Sequence, residues 1–144
     1  MNGHLKFEGE YSNGKKWEGN EYKGDNTNHD ISSKLKDGKG LMKEYNYYGK
    51  LLFEGEYLNG KRNGKGKEYD HYNGELRFEG EYLNGERNGK GKEYYDGKLI
   101  FEGEYLNGKK WNGKGYDQKG NIIYELINGK GNAKEYENGI YFEF

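Results

Sequence analysis

The sequence contains no cysteine, no proline and no valine, and it has no long apolar run. Without cysteine the chain can form neither a disulfide framework nor a thiol site. No stretch approaches the ~20 apolar residues that span a membrane as a helix. The opening residues, MNGHLKFEGE, lack the apolar segment of a signal peptide. These absences predict a cytoplasmic protein.

Aliphatic residues are also scarce, whereas glycine and aromatic residues are abundant. Leucine, isoleucine and phenylalanine together are 23 of the 144 residues, while glycine alone is 26. A net charge of −1 and an aromatic content of 17% disfavour disorder. So much glycine without proline is typical of tight turns and close backbone contacts. The composition favours a thin sheet with an aromatic face, and its charge gives no general attraction to nucleic acid.

One segment is written out almost identically more than once. FEGEYLNG followed by NGKGKEY occupies residues 78–94 and recurs at residues 53–69. The same pattern begins again at Phe101 and, as FEGEYSNG, at Phe7. The last three copies begin 25 and 23 residues apart, and the first precedes the second by 46 residues, which leaves room for one degenerate copy. Self-similarity at this period predicts a repeat architecture.

The whole chain is predicted to be one domain of about six such repeats. The 1–144 domain divides into irregular repeats at residues 1–49, regular repeats at 50–106 and irregular repeats at 107–144. Residues 25–36 are the least repetitive stretch, and we expect either a surface loop or a degenerate copy there. The chain stops at residues 140–144, inside a further unit, so a terminal strand would lack its neighbour. We therefore expect a homodimer or a longer assembly.

Each regular unit contains two strand-like runs and two turn signals. One run is LLFEGEYL at residues 51–58, and the other is GKGKEY at residues 64–69. Asn-Gly and Asp-Gly pairs between alternating runs predict type I′ hairpin turns, because both central residues of such a turn need positive φ. Such pairs occur at Asn13-Gly14, Asn59-Gly60, Asn73-Gly74, Asn84-Gly85, Asp96-Gly97 and Asn107-Gly108. The short connections predict an all-β antiparallel meander.

Alternation within a strand assigns residues to two faces. Phe78, Gly80 and Tyr82 share one face, where a large ring can lie over the bare backbone of a glycine. The glutamates that flank Gly80 and the lysines that flank Gly91 lie on the other face, where opposite charges pair across strands. We interpret this second face as a solvated surface.

The recurring unit resembles a known repeat family. GKRNGKG at residues 60–66, preceded by FEGEYLN and followed by KEY, is similar to the MORN repeat, whose pattern is roughly Y-x-G-x-aromatic-x-x-G-x-x-x-G-x-G. The tract KEYYDGKL resembles a bacterial, antitoxin-like variant of that repeat. The resemblance implies a single-layer antiparallel β-meander solenoid, elongated and twisted. It also implies a scaffold without activity of its own, since family members join enzymes, myosins, junctional membranes or cytoskeletons.

No motif for catalysis or metal binding stands out. The histidines are scattered, at His4, His29 and His71, so none has the spacing of a zinc site. Residues 108–114 approach a P-loop, but Gly115 stands where a serine or threonine must bind magnesium. Residues 25–30 lack the glycine and the final glutamate of a calcium loop. Paired glutamates recur in every copy, whereas catalytic carboxylates need unlike environments. We expect no enzyme activity, no metal and no cofactor.

The sequence predicts a scaffold that binds a protein partner through an aromatic face. Tyrosine and tryptophan are enriched at binding hot spots, since they bury a large area with little loss of rotamer entropy. The predicted face consists of Tyr57, Tyr82, Tyr105, Phe53, Phe78 and Phe101, with Trp17 and Trp111 towards the irregular ends. Alanine substitutions there are expected to weaken binding more than alanine at Lys65 or Lys90. The alternative is that the fold itself buries these rings.

A peripheral membrane module is the second hypothesis. Basic residues in or beside the turns would contact anionic phospholipid headgroups, and they are Lys15, Lys16, Lys61, Arg62, Lys109 and Lys110. Binding to headgroups usually needs a cluster of about four to eight basic residues. Each turn offers only a pair, and Glu86 interrupts the series. The sequence therefore favours protein binding over membrane contact.

Overall fold

The computed structural model describes residues 6–23 and 30–133, and within these ranges the chain forms strands and turns without a helix. The strands of the first part and of the irregular second unit are β1 (Lys6–Ser12), β2 (Lys15–Lys23), β3 (Asp30–Leu35) and β4 (Gly40–Tyr45). The regular units form β5 (Leu51–Leu58), β6 (Lys61–Tyr69), β7 (Leu76–Leu83), β8 (Glu86–Tyr95), β9 (Lys98–Leu106) and β10 (Lys109–Tyr116). Two further strands follow, β11 (Ile122–Ile127) and β12 (Lys130–Ala133).

Strands that are neighbours in the sequence pair antiparallel, except that β3 and β4 are joined only by an isolated bridge between Lys36 and Lys39. Strands β1 to β3 form a three-stranded sheet, and β4 to β12 form a nine-stranded sheet in chain order. The predicted all-β, hairpin-rich antiparallel fold is confirmed, and the strand predicted at 51–58 coincides with β5. In the least repetitive stretch, residues 30–35 form a strand rather than a loop. Residues 24–29 and the predicted terminal strand at 140–144 lie outside the described residues.

Tight turns of Asn-Gly or Asp-Gly connect most of the hairpins. Their first residues have φ between 50° and 53°, and the glycines that follow have φ between 72° and 90°, as type I′ turns require. These first residues are Asn13, Asp37, Asn59, Asn84, Asp96, Asn107 and Asn128. The predicted turn at Asn73-Gly74 differs. It belongs to a longer loop in which the Asp70 carboxylate accepts hydrogen bonds from the backbone N–H groups of Tyr72 and Asn73.

The turns along one edge of the sheet are bonded to one another. The N–H of Gly85 donates a hydrogen bond of 2.8 Å to the carbonyl of Arg62, in the preceding hairpin. The N–H of Gly108 makes the equivalent bond to the carbonyl of Arg87, also 2.8 Å. In a two-residue hairpin this N–H has no partner inside the hairpin, so the preceding unit satisfies it.

The two tryptophans are the extra residues of β-bulges. On the β9–β10 ladder, Tyr105 lies opposite Lys110 and Glu104 lies opposite Asn112, which leaves Trp111 unpaired. Trp17 occupies the same position on the β1–β2 ladder. In each case one strand carries one more residue than its partner at this point.

A row of glycines crosses the middle of the nine-stranded sheet. Its members on β5 to β9 lie opposite one another and are Gly55, Gly66, Gly80, Gly91 and Gly103. A Cβ atom built on Gly66 would lie 2.6 Å from the ring of Phe53 and 2.9 Å from that of Tyr82. The rings therefore lie directly on the glycine backbone, which confirms the ring-over-glycine packing inferred from the sequence.

Candidate functional site

Most rings of the predicted aromatic face are buried by the fold itself. Phe53, Phe78 and Phe101 are 0% exposed, and Tyr82 and Tyr105 are 4% exposed. The other three predicted residues of the face, Tyr57, Trp17 and Trp111, are half-buried. Five of the eight rings therefore lie out of reach of a partner in this conformation, as in the alternative raised from the sequence.

These rings form one continuous chain of edge-to-face contacts. Phe78 contacts Tyr82 at 5.6 Å and Tyr105 at 5.1 Å between ring centroids, with interplanar angles of 84° and 86°. Phe53 meets Tyr82 in the same way at 5.3 Å. This is the preferred geometry of aromatic pairs, so the arrangement stabilises the sheet.

A cation lies over each buried phenylalanine. The guanidinium carbons of Arg62 and Arg87 are 4.1 Å and 4.0 Å from the ring centroids of Phe53 and Phe78. The ammonium nitrogen of Lys110 is 4.8 Å from the corresponding centroid of Phe101. Distances within about 6 Å allow a favourable cation–π interaction. Two of the six basic residues assigned to headgroup contact, Arg62 and Lys110, are therefore used by the fold.

Carboxylates link these cations into a ladder. Arg87 makes ion pairs of 2.7 Å with Glu68 and 2.8 Å with Glu93. Arg62 pairs with Glu44 at 2.9 Å, and Lys110 pairs with Glu93 at 3.1 Å. Burial alone would lower the pKa of Arg87, but the charges of its two glutamate partners leave that pKa raised. The ladder thus covers the aromatic rings with a charge-balanced network.

Among the described residues, four tyrosines have raised pKa values. Burial, followed by the charge and hydrogen bond of Glu68, raises the pKa of Tyr82. Burial and the nearby Glu93 raise the pKa of Tyr105 in the same way. Burial and a hydrogen bond to a glutamate raise the pKa of Tyr69 and of Tyr94 to about 12.

These shifts predict that the protein loses stability in alkali. An unfolded tyrosine ionises near pH 10, whereas the folded tyrosines keep their protons to higher pH. The stabilising effect is therefore complete below about pH 10 and is lost as the pH rises above it, by about 1.4 kcal/mol per pH unit for each fully ionised group. Urea unfolding at several pH values between 8 and 12, these limits set around the ordinary tyrosine pKa of about 10, measures the loss.

Lysines also titrate in this pH range. Replacing one tyrosine with phenylalanine therefore separates that tyrosine's contribution to the alkaline loss of stability from the contribution of the lysines. Tyr82→Phe is expected to flatten the alkaline fall in unfolding free energy, because the variant cannot ionise at that position. Tyr47→Phe is the matched control, since the Tyr47 side chain is 70% exposed. Identical alkaline profiles for these two variants would contradict the assignment.

On the opposite face of the nine-stranded sheet, the charges that flank the glycine row have one sign on each of the strands β5 to β9. Glutamates on β5 and β7 alternate with lysines on β6 and β8, and glutamates follow on β9. Pairs directly opposite one another include Glu54 with Lys67 and Glu79 with Lys92. This register confirms that opposite charges are placed across neighbouring strands, as inferred from the sequence.

A groove of about 1020 Å³ runs across this charged face from β4 to β9. The backbone of the glycine row contributes to the lining of the groove, together with the charged side chains that flank each glycine. Its walls include Lys65 and Lys67 on β6 and Lys90 and Lys92 on β8. The sequence indicated these residues but assigned them only to a solvated surface, since a groove depends on the strand register.

Exposed tyrosines line the loops at the edge of the sheet opposite the bonded turns. Tyr47, Tyr48 and Tyr72 are 70%, 79% and 80% exposed. They lie in the β4–β5 and β6–β7 loops, and Tyr95, beside the β8–β9 turn, is 57% exposed. Sequence reasoning missed this group, although Tyr47, Tyr48 and Tyr72 stand next to asparagine or glycine, outside the alternating strand pattern.

The described part of the chain gives little support for a metal site or a membrane-spanning helix. No group of three histidine, aspartate or glutamate residues at 6–23 and 30–133 is arranged to hold a metal ion. The ring of His71 packs against that of Tyr72 at a tilt of 41°, with 3.9 Å between ring centroids. Among the described residues, no helix long and apolar enough to span a membrane occurs.

Comparison with known protein families identifies the recurring unit. The family model of the MORN repeat matches residues 7–17, 53–70 and 78–98. The second and third segments lie on the β5–β6 and β7–β8 hairpins. The unit that the sequence places at Phe101 is outside the matched segments. A search of curated proteins gives no match to the chain. MORN repeats in general serve as scaffolds for protein or membrane interactions.

Proposed function

Because this chain carries MORN repeats, we propose that it is a non-enzymatic scaffold that binds a protein partner. The observation that carries the proposal is the groove of about 1020 Å³ on the charged face. Its lysines and glutamates offer charge-assisted contacts to a partner.

The groove replaces the buried aromatic face as the proposed contact surface. Phe78 and Tyr82 are enclosed, so alanine there would act through folding rather than through contact with a partner. The lysines at positions 65 and 90, expected from the sequence to matter less, are exposed walls of the groove. The proposal therefore reverses the order of effects expected from the sequence.

Membrane contact is the weaker alternative. Six basic residues were assigned to headgroup contact, and two of them, Arg62 and Lys110, belong to the ion-pair ladder. The other four are Lys15, Lys16, Lys61 and Lys109. Lys61 and Lys109 follow successive Asn-Gly turns on one edge and are exposed. Each exposed lysine near an anionic surface adds about 1 kcal/mol, so a small patch supports only weak binding.

The test compares two charge-reversed variants of the whole chain. Lys67→Glu with Lys92→Glu alters the groove, whereas Lys61→Glu with Lys109→Glu alters the turns. Each protein is immobilised in a lysate of its source organism, and captured proteins are quantified by mass spectrometry. The groove variant is expected to lose at least about ninety per cent of the captured partner, since reversed charges at a contact surface reject it, while the turn variant retains it.

Two outcomes would contradict the proposal. Equal capture by both variants and the natural chain would show that the groove is not the contact surface. Binding of the natural chain to phosphatidylserine vesicles, lost only in the Lys61 and Lys109 variant, would favour the membrane alternative. Circular dichroism of both variants verifies that the sheet is intact.

A further inference from the structure

The described residues contain nine Asn-Gly pairs, a dipeptide that is prone to deamidation. In this reaction the glycine nitrogen attacks Cγ of the asparagine side chain and displaces ammonia. The succinimide that forms takes up one water and opens to aspartate or isoaspartate. Glycine favours the attack because it has no side chain to obstruct it. The nine asparagines are Asn13, Asn59, Asn63, Asn73, Asn84, Asn88, Asn107, Asn112 and Asn128.

Four of these pairs are hairpin turns whose glycine N–H is bonded to the preceding hairpin. The N–H groups of Gly85 and Gly108 each donate a hydrogen bond of 2.8 Å to it. Those of Gly60 and Gly129 donate in the same way, at 2.9 and 2.7 Å. The attacking nitrogen must lose this hydrogen, so the bond to the neighbouring unit has to break before the ring can close.

A second bond to the preceding unit holds three of these turns. The backbone N–H of the turn asparagine donates to the side-chain Oδ1 of a strand asparagine, which belongs to another Asn-Gly pair. The three bonds are Asn84 to Asn63 at 3.2 Å, Asn107 to Asn88 at 3.1 Å and Asn128 to Asn112 at 2.8 Å. Each bond therefore engages both asparagines, the one in the turn and the one in the strand.

The turn at Asn13-Gly14 differs from these. Among residues 6–23 and 30–133, no group accepts a hydrogen bond from the N–H of either residue. Both residues are exposed, and a Cβ atom built on Gly14 would meet no atom within 4 Å. The remaining pair is held by its own loop, where the N–H of Gly74 donates a hydrogen bond of 2.9 Å to the carbonyl of Asp70.

We propose that Asn13 is the deamidation site of the folded chain, and that the bonds between units protect the asparagines of the later turns. Ring closure requires the asparagine ψ to rotate away from its value in a type I′ turn, so the turn must open. Opening at Asn84 breaks two hydrogen bonds to the preceding unit, whereas opening at Asn13 breaks neither. The product carries a new carboxylate in the turn before Lys15, and isoaspartate also lengthens the backbone there.

The test follows deamidation of the folded natural chain by peptide mapping. Trypsin releases FEGEYSNGK, whose single asparagine is Asn13, and FEGEYLNGER, whose single asparagine is Asn84. The chain is incubated in mildly alkaline buffer, and the aspartate and isoaspartate forms of each peptide are quantified by chromatography with mass spectrometry. Asn13 is expected to react at least about tenfold faster than Asn84, because the turn at Asn84 opens less often.

The same chain unfolded in urea is the matched control. No turn is held there, so the two rates are expected to become similar. A ratio that unfolding leaves unchanged would show that the residue before the asparagine, Ser12 or Leu83, sets the difference, and it would overturn the proposal.

Two substitutions test the protecting bonds directly. Asn63→Ala removes the acceptor for the N–H of Asn84, so it is expected to speed deamidation at Asn84 at least about threefold and leave Asn107 unchanged. Asn88→Ala is the reciprocal variant, expected to speed the reaction at Asn107 and leave Asn84 unchanged. Circular dichroism verifies that both variants are folded.

Equal rates at Asn13 and Asn84 in the folded chain would overturn the proposal. An Asn13 that stays intact while the unfolded chain reacts would do so as well. Unchanged rates at Asn84 and Asn107 in their respective variants would overturn the protective role of the bonds between units.

Discussion

Replacing Phe78 with alanine is expected to lower the free energy of unfolding by about 3–5 kcal/mol. The side chain is 0% exposed and lies between the rings of Tyr82 and Tyr105, with centroid distances of 5.6 and 5.1 Å. The guanidinium of Arg87 lies 4.0 Å from its centroid. Truncation removes apolar contacts and leaves a cavity beneath a charge that has lost its aromatic support.

Urea unfolding monitored by circular dichroism measures this loss. Leu83→Ala is the matched control, because Leu83 is on the same strand, β7, but is 49% exposed. That control is expected to lose less than about 1 kcal/mol, since surface substitutions have small effects. Similar unfolding midpoints for the two variants would show that the rings contribute little to the fold.

Replacing Gly80 with valine is expected to destabilise the protein by about 3 kcal/mol, the upper part of the range for overpacking. A Cβ atom at this position would lie 2.5 Å from the carbonyl oxygen of Lys90 and 2.7 Å from the Cα of Gly91. It would also lie 2.8 Å from the tip of the Phe78 ring. Two of these three contacts involve backbone atoms of the paired strand, which cannot move without separating β7 from β8.

The control for this variant is Lys92→Val, on the opposite face of the same hairpin. Lys92 is exposed, and valine has a favourable β-propensity, so little change in stability is expected. Equal denaturant midpoints for the two valine variants would contradict the assignment of Gly80 to the packed face.

The hairpins could be predicted because their signals are local. Asn84-Gly85 and Asn107-Gly108 needed no knowledge of distant residues, since positive φ at both positions favours those two residue types. The turn predicted at Asn73-Gly74 was wrong in type. There the Asp70 carboxylate closes a longer loop, and this competing side-chain capping was not recognised.

The aromatic pattern predicted which residues share one face of the sheet, but it could not show whether that face is exposed to solvent. The covering groups come from other strands, as Arg62 on β6 illustrates by lying over Phe53 of β5. In the sequence Arg62 stands beside a turn, and it was assigned to headgroup contact for that reason. The face to which the Arg62 side chain points depends on the β-bulge after Gly55. A simple alternation of residues with period two does not reveal such a bulge.

The groove was missed for a similar reason. Each strand's alternating charges looked like ordinary solvation, although the pairing of Glu79 with Lys92 was inferred correctly. Glu54 lies opposite Lys67 but accepts a hydrogen bond from the hydroxyl of Tyr69, fifteen positions away in the sequence. Such contacts require the three-dimensional register of two strands.

The hydrogen bonds between successive turns allow the separation of neighbouring repeat units to be measured. Gly85 donates its amide hydrogen to the unit before it, so this hydrogen exchanges with solvent only after the two units part at that edge. A strand amide in β7 exchanges instead when the ladder itself opens. In a repeat chain, stability is the sum of terms within units and between neighbours. Hydrogen exchange at the turn glycines therefore measures the interaction between neighbouring units.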